Sequence, residues 1–451
     1  MLKKGSIIEA PVAETVFPNK GLVYVDGKEI LVHGALEGQK VKIKIVKKRR
    51  DKIEAKILEI LEKSPFEQTP NCLQFGLCGG CTYLNVPYAR QLEIKSNQVL
   101  KLLSDAGITN FDFLGIEPSP NEYAYRNKME YTFGDSSNSQ LSLGLHRRRM
   151  RYEISPVVGC QLVDRDFLAI LDLVLAHFRG ENIPFYHKKS HQGVLRNLVI
   201  RKAGTTGEIL VNLVTTSQKQ LALAELGEQL WHLDLAGHLQ GFLHTINDGK
   251  ADTVQADTMR AVCGDDHITE KILGLSFEVS AFSFFQTNSY GAEKLFSLVR
   301  DFAGPNPGIV YDLYCGTGTI AQIISPLARK VIGIEIVPEA IEAARKNARI
   351  NGLDNCKFIA GDVLVEIETL QEKPDLIILD PPRGGIHPKA LEKVIAIGAP
   401  HLIYVSCQPI SLAKDLQVLA ASGYTATTVK CVDLFPHTPH VETVVRLEQY
   451  D

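Results

Sequence analysis

The sequence predicts an α/β protein with three parts: a small β-barrel at the N-terminus, a central α+β domain, and a doubly wound parallel sheet at the C-terminus. The chain has 451 residues, too many for one ordinary core. Its first 62 residues alternate short β-patterned runs with Asp-Gly, His-Gly and Glu-Gly turns. Its last part alternates strands with helices. We place the domains at residues 1–62, 63–270 and 271–451.

The amino-acid composition limits the classes of protein to which this chain can belong. Hydrophobic residues make up 45% and charged residues 22% of the chain, as in a soluble globular protein. The N-terminus has no apolar run of secretory length, and no run of about 18 apolar residues occurs, so we expect a cytoplasmic protein without a membrane span. We also expect a monomer. Nine cysteines in a reducing compartment indicate metal binding or catalysis more than a disulfide framework.

The N-terminal module is basic although the whole chain has a net charge of −3. Before Ser64 there are 14 Lys and Arg against 9 Asp and Glu. Along residues 40–45, three lysines alternate with three apolar residues, which places the lysines on one face of a strand. We predict that this lysine face binds an RNA backbone. The alternative is that the face is simply exposed to solvent.

Four cysteines form a candidate metal site. Cys72, Cys78 and Cys81 lie in CLQFGLCGGC, where the two glycines give the backbone freedom to wrap thiolates around one centre. The fourth candidate is Cys160, in the glycine-flanked run SPVVGCQL. Four cysteines suit either tetrahedral zinc or an iron-sulfur cluster, and the spacing does not separate the two. The remaining alternative is a chance group of free thiols.

The central part also carries basic clusters. They lie at residues 146–151 and 187–189, with Arg196 and Arg201 nearby in sequence. In a protein of net negative charge, such clusters favour phosphate contacts spread over one long surface.

The C-terminal part contains a glycine-rich turn of the kind that binds nucleotide cofactors. Its predicted parallel strands are residues 309–313, 331–336, 357–362, 375–380 and 401–406. In DLYCGTGTIA the turn follows the first strand and opens a helix, so Gly316 and Gly318 let the backbone approach a ligand closely. Glu335 comes at the end of the next strand, where a carboxylate can bind both ribose hydroxyls. This pattern alone would equally suit a dinucleotide.

Acidic residues at the strand ends favour S-adenosylmethionine (SAM) over a dinucleotide. Asp312 precedes the glycine-rich loop and Asp362 follows the third strand. Asp380 begins an Asp-Pro-Pro sequence after the fourth strand. This set is typical of Rossmann-like class I SAM enzymes, because the ligand bears an amine and a sulfonium instead of a pyrophosphate. Arg383 follows Asp-Pro-Pro where enzymes that methylate exocyclic amines have an aromatic residue, so an amine acceptor is disfavoured.

Cys407 is the candidate nucleophile. It follows the strand at 401–406 and precedes Pro409, which ends the strand or opens a helix. A thiolate that adds to C6 of a pyrimidine turns C5 into a carbon that can attack a methyl group. A second group must then remove the C5 proton, and Glu442, with His437 and His440 upstream, is the candidate. The alternatives are a small buried cysteine and a surface carboxylate on an edge strand.

Taken together, these motifs resemble the RNA uracil-5 methyltransferases, and most closely the iron-sulfur 23S ribosomal RNA enzymes with an N-terminal TRAM domain. The resemblance covers nearly all of the chain: the N-terminal barrel, CLQFGLCGGC with Cys160, AFSFFQTN, DLYCGTGTIA, GIE, DPPRGG, SCQP and PHTPHVE. It implies a four-iron, four-sulfur cluster on the four cysteines. It implies SAM contacts from Gln286, Tyr314, Glu335 and Asp380, with Cys407 as nucleophile and Glu442 as proton acceptor.

Two other functions stay open. Transfer RNA methylation in the T loop is the runner-up within the enzyme class, although the commonest transfer RNA relatives lack the TRAM-like barrel and the linked cysteines. An iron-sulfur RNA-binding sensor without catalysis is the alternative from another class. The retention of Asp380, Cys407 and Glu442 together argues against the sensor.

Overall fold

The computed structural model describes residues 2–49, 52–135, 140–148, 150, 153–250 and 257–450. Arg50, Arg149 and Arg151, which belong to basic stretches of the sequence, lie outside these ranges. None of the helices in the described ranges is long and apolar enough to span a membrane.

The N-terminal module is a six-stranded sheet with a core of its own. Its strands are β1 (Ile7–Pro11), β2 (Glu14–Val16), β3 (Lys20–Val25), β4 (Lys28–His33), β5 (Lys40–Arg49) and β6 (Lys52–Glu62), in the order β1-β5-β6-β4-β3-β2. Along β5, Val41, Ile43 and Ile45 are buried and the lysines between them reach solvent, which confirms the predicted alternation. The apolar cluster of this module draws only on residues 2–57, so the sheet packs against itself.

The central sheet has seven strands, with two helices beside it. After α1 (Tyr88–Asp105) and β7 (Asp112–Glu117), the chain forms β8 (Lys128–Asp135), β9 (Leu141–His146), β10 (Ile154–Pro156), α2 (Arg165–Gly180), β11 (Leu195–Lys202), β12 (Glu208–Thr215), α3 (Ala224–Trp231), β13 (His238–Ile246) and β14 (Thr258–Gly264). The strand order is β10-β9-β8-β11-β12-β13-β14. A hairpin of β15 (His267–Ile272) and β16 (Leu275–Ser280) follows, so the predicted boundary at residue 270 falls inside a strand.

Two arginines of the central part are structural. Arg196 is buried, donates to the carbonyls of Asn247 and Gly249 at 2.6 Å each, and stacks on Tyr186. Arg201 is buried as well and donates to the carbonyls of Ala281 and Ser283. The prediction that these two residues contact phosphates is therefore wrong: their charges are satisfied by backbone oxygens inside the protein.

The C-terminal sheet has eight strands. Its elements are α4 (Ser289–Ala303), β17 (Ile309–Leu313), α5 (Thr319–Ile324), β18 (Lys330–Glu335), α6 (Pro338–Ile350), β19 (Cys356–Ala360), α7 (Val363–Glu366), β20 (Leu376–Leu379), α8 (Pro388–Ile397), β21 (His401–Ser406), α9 (Pro409–Ala421), β22 (Tyr424–Val432) and β23 (Glu442–Gln449). The order is β19-β18-β17-β20-β21-β23-β22-β7. Strands β17 to β21 are parallel, as predicted, and β23 is antiparallel to both β21 and β22.

Residues 88–117 belong to the C-terminal core, although the sequence places them in the central domain. Strand β7 pairs in parallel with β22 and forms the edge of the eight-stranded sheet. Val99 and Leu103 of α1 are fully buried in the apolar cluster on one face of that sheet. The chain therefore contributes a helix and a strand to the C-terminal domain before it builds the central sheet.

A buried ion pair fastens α1 to the segment that precedes β23. The Lys95 Nζ lies 2.7 Å from Asp433 Oδ1 and 3.1 Å from the Phe435 carbonyl, and both charged side chains are fully buried. The Asp433 carboxylate also accepts the Phe435 backbone N–H at 3.0 Å. Because burial disfavours the charged amine, the pKa of Lys95 is lowered, and the adjacent carboxylate opposes that shift.

We expect Lys95→Met to destabilise the protein strongly, because it leaves the Asp433 carboxylate buried without its cation. Breaking a buried pair costs about 3–5 kcal/mol. The matched control is Lys101→Met on the same helix, whose exposed ion pair with Asp105 contributes about 0.3–0.5 kcal/mol. Scanning calorimetry should show a lower thermal midpoint for Lys95→Met only. Equal midpoints for the two variants would contradict the assigned role of the pair.

Candidate active site

Strand register brings Cys407 and Glu442 to the same edge of the C-terminal sheet. The last pair in the β21–β23 ladder is Ser406 with Thr443. Cys407 directly follows Ser406 and Glu442 directly precedes Thr443, so the two side chains come next to each other beyond that pair. Pro409 then opens α9 at the first helical position, which ends the strand at this point. The structure thus brings together the two residues that the sequence assigned to catalysis.

The Cys407 and Glu442 side chains lie near both negative and positive charges, which shift their pKa values in opposite directions. Burial and the negative charge of Asp380 raise the pKa of Glu442 to about 8, and Arg383 opposes the shift. Burial, Glu442 and Asp380 raise the pKa of Cys407 to about 11, whereas the Arg383 charge and its hydrogen bond to the thiol lower it. Burial alone raises the pKa of Asp380 to about 7. A cation near these groups therefore favours both the thiolate and the carboxylates.

Arg383 is a site residue that the sequence reasoning did not assign. It lies in the loop after β20, where its carbonyl accepts a hydrogen bond from Ser411 Oγ of α9 at 3.0 Å. This bond fixes the arginine beside the helix that begins after Cys407. His440 is half-buried close to the same cation, and desolvation together with Arg383 lowers its pKa to about 4, so His440 is neutral at neutral pH. The signal available in the sequence was the arginine that replaces an aromatic residue after Asp-Pro-Pro.

The glycine-rich loop adopts the strained backbone that close approach to a ligand requires. Tyr314, Gly316 and Gly318 all have positive φ angles, of 66°, 54° and 71°. The carboxylate of Glu335 accepts the backbone N–H of Gly316 at 3.2 Å and of Val337 at 3.1 Å. A side chain at Gly316 would meet no atom within 4 Å, so this side of the loop is open.

The residues around this loop fit a cationic cofactor. Asp312 is fully buried at the end of β17, and one carboxylate oxygen accepts the Ala321 N–H at 2.9 Å. Its other oxygen is buried without a hydrogen-bond partner in the described residues. Burial and the nearby Asp380 and Glu335 carboxylates raise the pKa of Asp312. An amine would donate a hydrogen bond to this acceptor, and either an amine or a sulfonium would relieve the repulsion, whereas a pyrophosphate would increase it.

Gln286 lies in the loop between β16 and α4, and the structure anchors this loop at several points. Asn127 Nδ2 donates to the Gln286 carbonyl at 3.0 Å. Asn288 caps α4 and also donates to the Leu434 carbonyl at 2.9 Å, which ties the loop to the segment that leads to Glu442. The buried Arg201 binds the start of the same loop.

The four predicted metal-ligand cysteines line one cavity of about 510 Å³. It lies apart from Cys407, between the loop at 72–81 and the segment after β10. Gly80 N–H donates to the Cys78 sulfur at 3.3 Å, and Gly79 N–H donates to the His146 carbonyl at 3.2 Å. These bonds hold the loop against β9.

Cys81 lies within electrostatic range of the other three thiols. Burial and the charges of the other three cysteines raise the pKa of Cys81 to about 12. Four thiolates in mutual repulsion fit a cationic metal or cluster, because such a centre removes the repulsion. In the described part of the chain, however, no three His, Cys, Asp or Glu side chains converge closely enough to form a metal-ligand group. The shared cavity and the donor set, not a formed coordination sphere, therefore support a metal here.

Comparison with solved structures identifies the fold of the whole chain. The tRNA (uracil-54, C5)-methyltransferase of Pyrococcus abyssi, solved in complex with S-adenosyl-L-homocysteine, superposes with a TM-score of 0.77 at 24% sequence identity. The match covers 97% of this chain and 100% of that one, so the two chains share an overall fold.

Comparison with sequences identifies the family. The family model described as tRNA (Uracil-5-)-methyltransferase matches residues 255–450. An uncharacterized RNA methyltransferase of Clostridium tetani is 50% identical over 100% of this chain and 99% of its own length. Another, from Caldanaerobacter subterraneus subsp. tengcongensis, is 47% identical over 99% of this chain and 100% of its own. The chain therefore belongs to the SAM-dependent RNA uracil-5 methyltransferase family.

Proposed function

We propose that this protein methylates C5 of a uracil in ribosomal RNA, with Cys407 as nucleophile and Glu442 as proton acceptor. One observation carries the proposal: the β21–β23 register places a thiol and a buried carboxylate together, beside Asp380 and Arg383. A nucleophile and a base at one edge of a cofactor-binding sheet are what C5 methylation requires.

The cofactor would be held by the residues around the glycine-rich loop. Glu335 would bind the ribose hydroxyls, Tyr314 and Gln286 would contact the cofactor, and Asp312 and Asp380 would face the amine and the sulfonium. When bound, SAM would supply an electrophilic methyl group, and the S–CH3 bond would break to release S-adenosylhomocysteine. The acidic residues would orient that group through their negative charge, and one of them, Asp312, is itself held in place by the Ala321 N–H.

Cys407 begins the reaction by adding to C6 of the uracil, which must be flipped out of its stack to reach a buried edge of the protein. The new sulfur–carbon bond pushes electrons to C5 and O4, so that C5 can take the methyl group. Arg383 assists because its charge and hydrogen bond favour the thiolate over the thiol.

Glu442 completes the reaction. Its carboxylate takes the C5 proton, the electrons of that bond re-form the C5–C6 double bond, and the sulfur–carbon bond breaks to return the thiolate. A carboxylate whose pKa is raised to about 8 by burial and by Asp380 is a stronger base than an exposed one, which suits proton removal near neutral pH.

The substrate that we propose is 23S ribosomal RNA. The proposal rests on two features: the N-terminal sheet over 1–62, which we interpret as a TRAM-like barrel that binds RNA, and the four-cysteine cavity of the central part. Transfer RNA stays the second candidate, and one observation favours it: the enzyme from Pyrococcus abyssi, which acts on transfer RNA, shares the architecture over 97% of this chain.

The four-cysteine cavity would hold a four-iron, four-sulfur cluster on Cys72, Cys78, Cys81 and Cys160. Zinc is the alternative, since both centres are bound by four thiolates. Such a centre would order the loop at 72–81. It would not touch the reacting atoms, because the cysteines and Cys407 occupy separate sites.

We expect substitutions of Glu442 and Arg383 to move the reactivity of Cys407 in opposite directions. Glu442→Gln removes a negative charge that raises the pKa of Cys407, so iodoacetamide should label the thiol faster at a given pH. Arg383→Gln removes a charge that lowers this pKa, so labelling should be slower. Mass spectrometry of the Cys407 peptide measures both rates, and Cys263 in the same samples is the internal control. Shifts in the same direction would refute the assigned electrostatics.

We expect RNA that contains 5-fluorouridine to form a denaturation-resistant adduct with the protein in the presence of SAM, because C5 then carries no proton for Glu442 to remove. Cys407→Ala should abolish both the adduct and methyl transfer. Glu442→Gln should slow turnover by about 10²- to 10⁴-fold and trap a methylated adduct on ordinary RNA. Gel electrophoresis of labelled RNA under denaturing conditions detects each adduct.

Cys263→Ala is the matched control for this experiment and should behave like the wild-type protein, since this thiol lies in β14. An adduct that survives Cys407→Ala would overturn the mechanism. RNA binding without any methyl transfer by the wild-type protein would favour the sensor instead. Running the assay with 23S ribosomal RNA and with transfer RNA, followed by mass mapping of the methylated uridine, decides between the two substrates.

We expect protein purified without oxygen to be brown and to contain iron and sulfide, because four thiolates in one cavity suit a cluster. Cys78→Ser should reduce the bound iron, whereas Cys263→Ser should leave it unchanged. Metal analysis and the visible absorption spectrum measure this. Colourless protein with stoichiometric zinc would show that the site holds zinc instead.

A further inference from the structure

We propose that Gln91 is a positioning residue that couples the four-cysteine site to Glu442, so that filling the cysteine site orders the proton acceptor. The proposal rests on the proposed function. Residues 433–441 form a loop that leads directly into Glu442, and we call this loop the base loop.

The base loop contacts the cysteine loop through its backbone. Thr82 and Tyr83, the two residues after Cys81, donate their N–H groups to the His437 carbonyl at 2.7 and 3.0 Å. His437 has a φ of 64°, an uncommon conformation for a residue other than glycine, so this carbonyl is held in a specific direction. One hydrogen bond thus separates the residue next to a proposed metal ligand from the loop that carries the base.

A second contact joins the same two regions. The Tyr125 hydroxyl donates to the carbonyl of Pro436, next to His437, at 3.0 Å. Tyr125 is buried and directly precedes Arg126, which lines the four-cysteine cavity. The base loop is therefore held at two successive residues, one bonded to the segment after Cys81 and one bonded to the residue next to the cavity wall.

Gln91 clamps both loops with one side chain. It is fully buried on α1, and its Oε1 accepts the His437 N–H at 2.8 Å. Its Nε2 lies 3.0 Å from the Tyr83 carbonyl and 2.8 Å from the Val86 carbonyl, and 3.0 Å from His437 Nδ1. The amide orientation is fixed by these partners, because a backbone N–H can only donate and the two carbonyls can only accept.

This geometry makes the coupling reciprocal. A metal or cluster that fixes Cys81 also fixes the N–H groups of Thr82 and Tyr83, and through them and Gln91 it fixes His437, five residues before Glu442. By linkage, a base loop that is held in place must also favour a filled cysteine site. Loss of the clamp should therefore loosen the base loop and weaken metal retention together.

The experiment compares hydrogen exchange in three proteins without RNA or SAM. In the wild-type protein, removal of the metal with a chelator should speed exchange in peptides over 435–443 roughly tenfold, within the range typical of coupled sites. Gln91→Met keeps the length of the side chain but removes the amide; it should exchange quickly even when loaded, and chelation should change it little. Asn212→Leu, which removes another buried amide whose Oδ1 accepts from the Thr245 hydroxyl, should behave like wild type.

A second readout tests the consequence for Glu442. With ordinary RNA and SAM, Gln91→Met should accumulate the methylated Cys407 adduct, because elimination needs the base, and Asn212→Leu should not. Exchange over 435–443 that is unchanged by chelation in the wild-type protein would overturn the proposal, even if Gln91→Met failed to fold. A wild-type protein that holds no metal would also overturn it. Failure of methyl transfer in the wild-type protein would instead refute the proposed function and leave the exchange result intact.

Discussion

The antiparallel pairing of β23 with β21 is the constraint on which the active site depends. The parallel strands β17 to β21 end at one edge of the sheet, where the glycine-rich loop, Asp380 and Cys407 follow them. Because β23 runs the opposite way, its first residue and not its last lies at that edge, so Glu442 meets Cys407. A parallel β23 would carry Glu442 to the far edge of the sheet.

The same edge concentrates negative charge that the protein alone does not neutralise. Asp312 and Glu442 are buried and Asp380 is half-buried, and the pKa of each is raised. Arg383 is the cation that opposes these shifts at Cys407 and Glu442. Such an arrangement costs folding free energy in the empty protein, since burial disfavours each charge. It is accordingly most stable when a cationic ligand occupies the site.

Much of the fold can be predicted from local sequence patterns, whereas features that depend on long-range contacts cannot. Strands such as 309–313 and 401–406 were recognised because a parallel strand buried on both faces is a short apolar run. Cys407 and Glu442 were assigned because their chemistry and the sheet order agree. By contrast, Arg196 and Arg201 look like surface cations in sequence, and only the tertiary structure supplies the carbonyls that bury them. Strand β7 was misplaced because nothing local specifies that it pairs with β22, some 300 residues later.

Helix α1 shows why part of the site was not accessible to sequence analysis. Gln91, Lys95 and Gln98 are buried at positions four and three residues apart, so they share one face of the helix. In a sequence, three polar residues at this spacing indicate a solvated face. Here Gln98 donates to the Thr15 carbonyl of the N-terminal sheet, Lys95 binds Asp433, and Gln91 holds the loop after Cys81 and the backbone of His437. Buried backbone N–H and C=O groups in loops have no partners in a sheet ladder. The side chains of α1 form hydrogen bonds with these groups instead. One polar helix face thereby fixes how the N-terminal sheet, the cysteine loop and the catalytic strand are placed relative to one another.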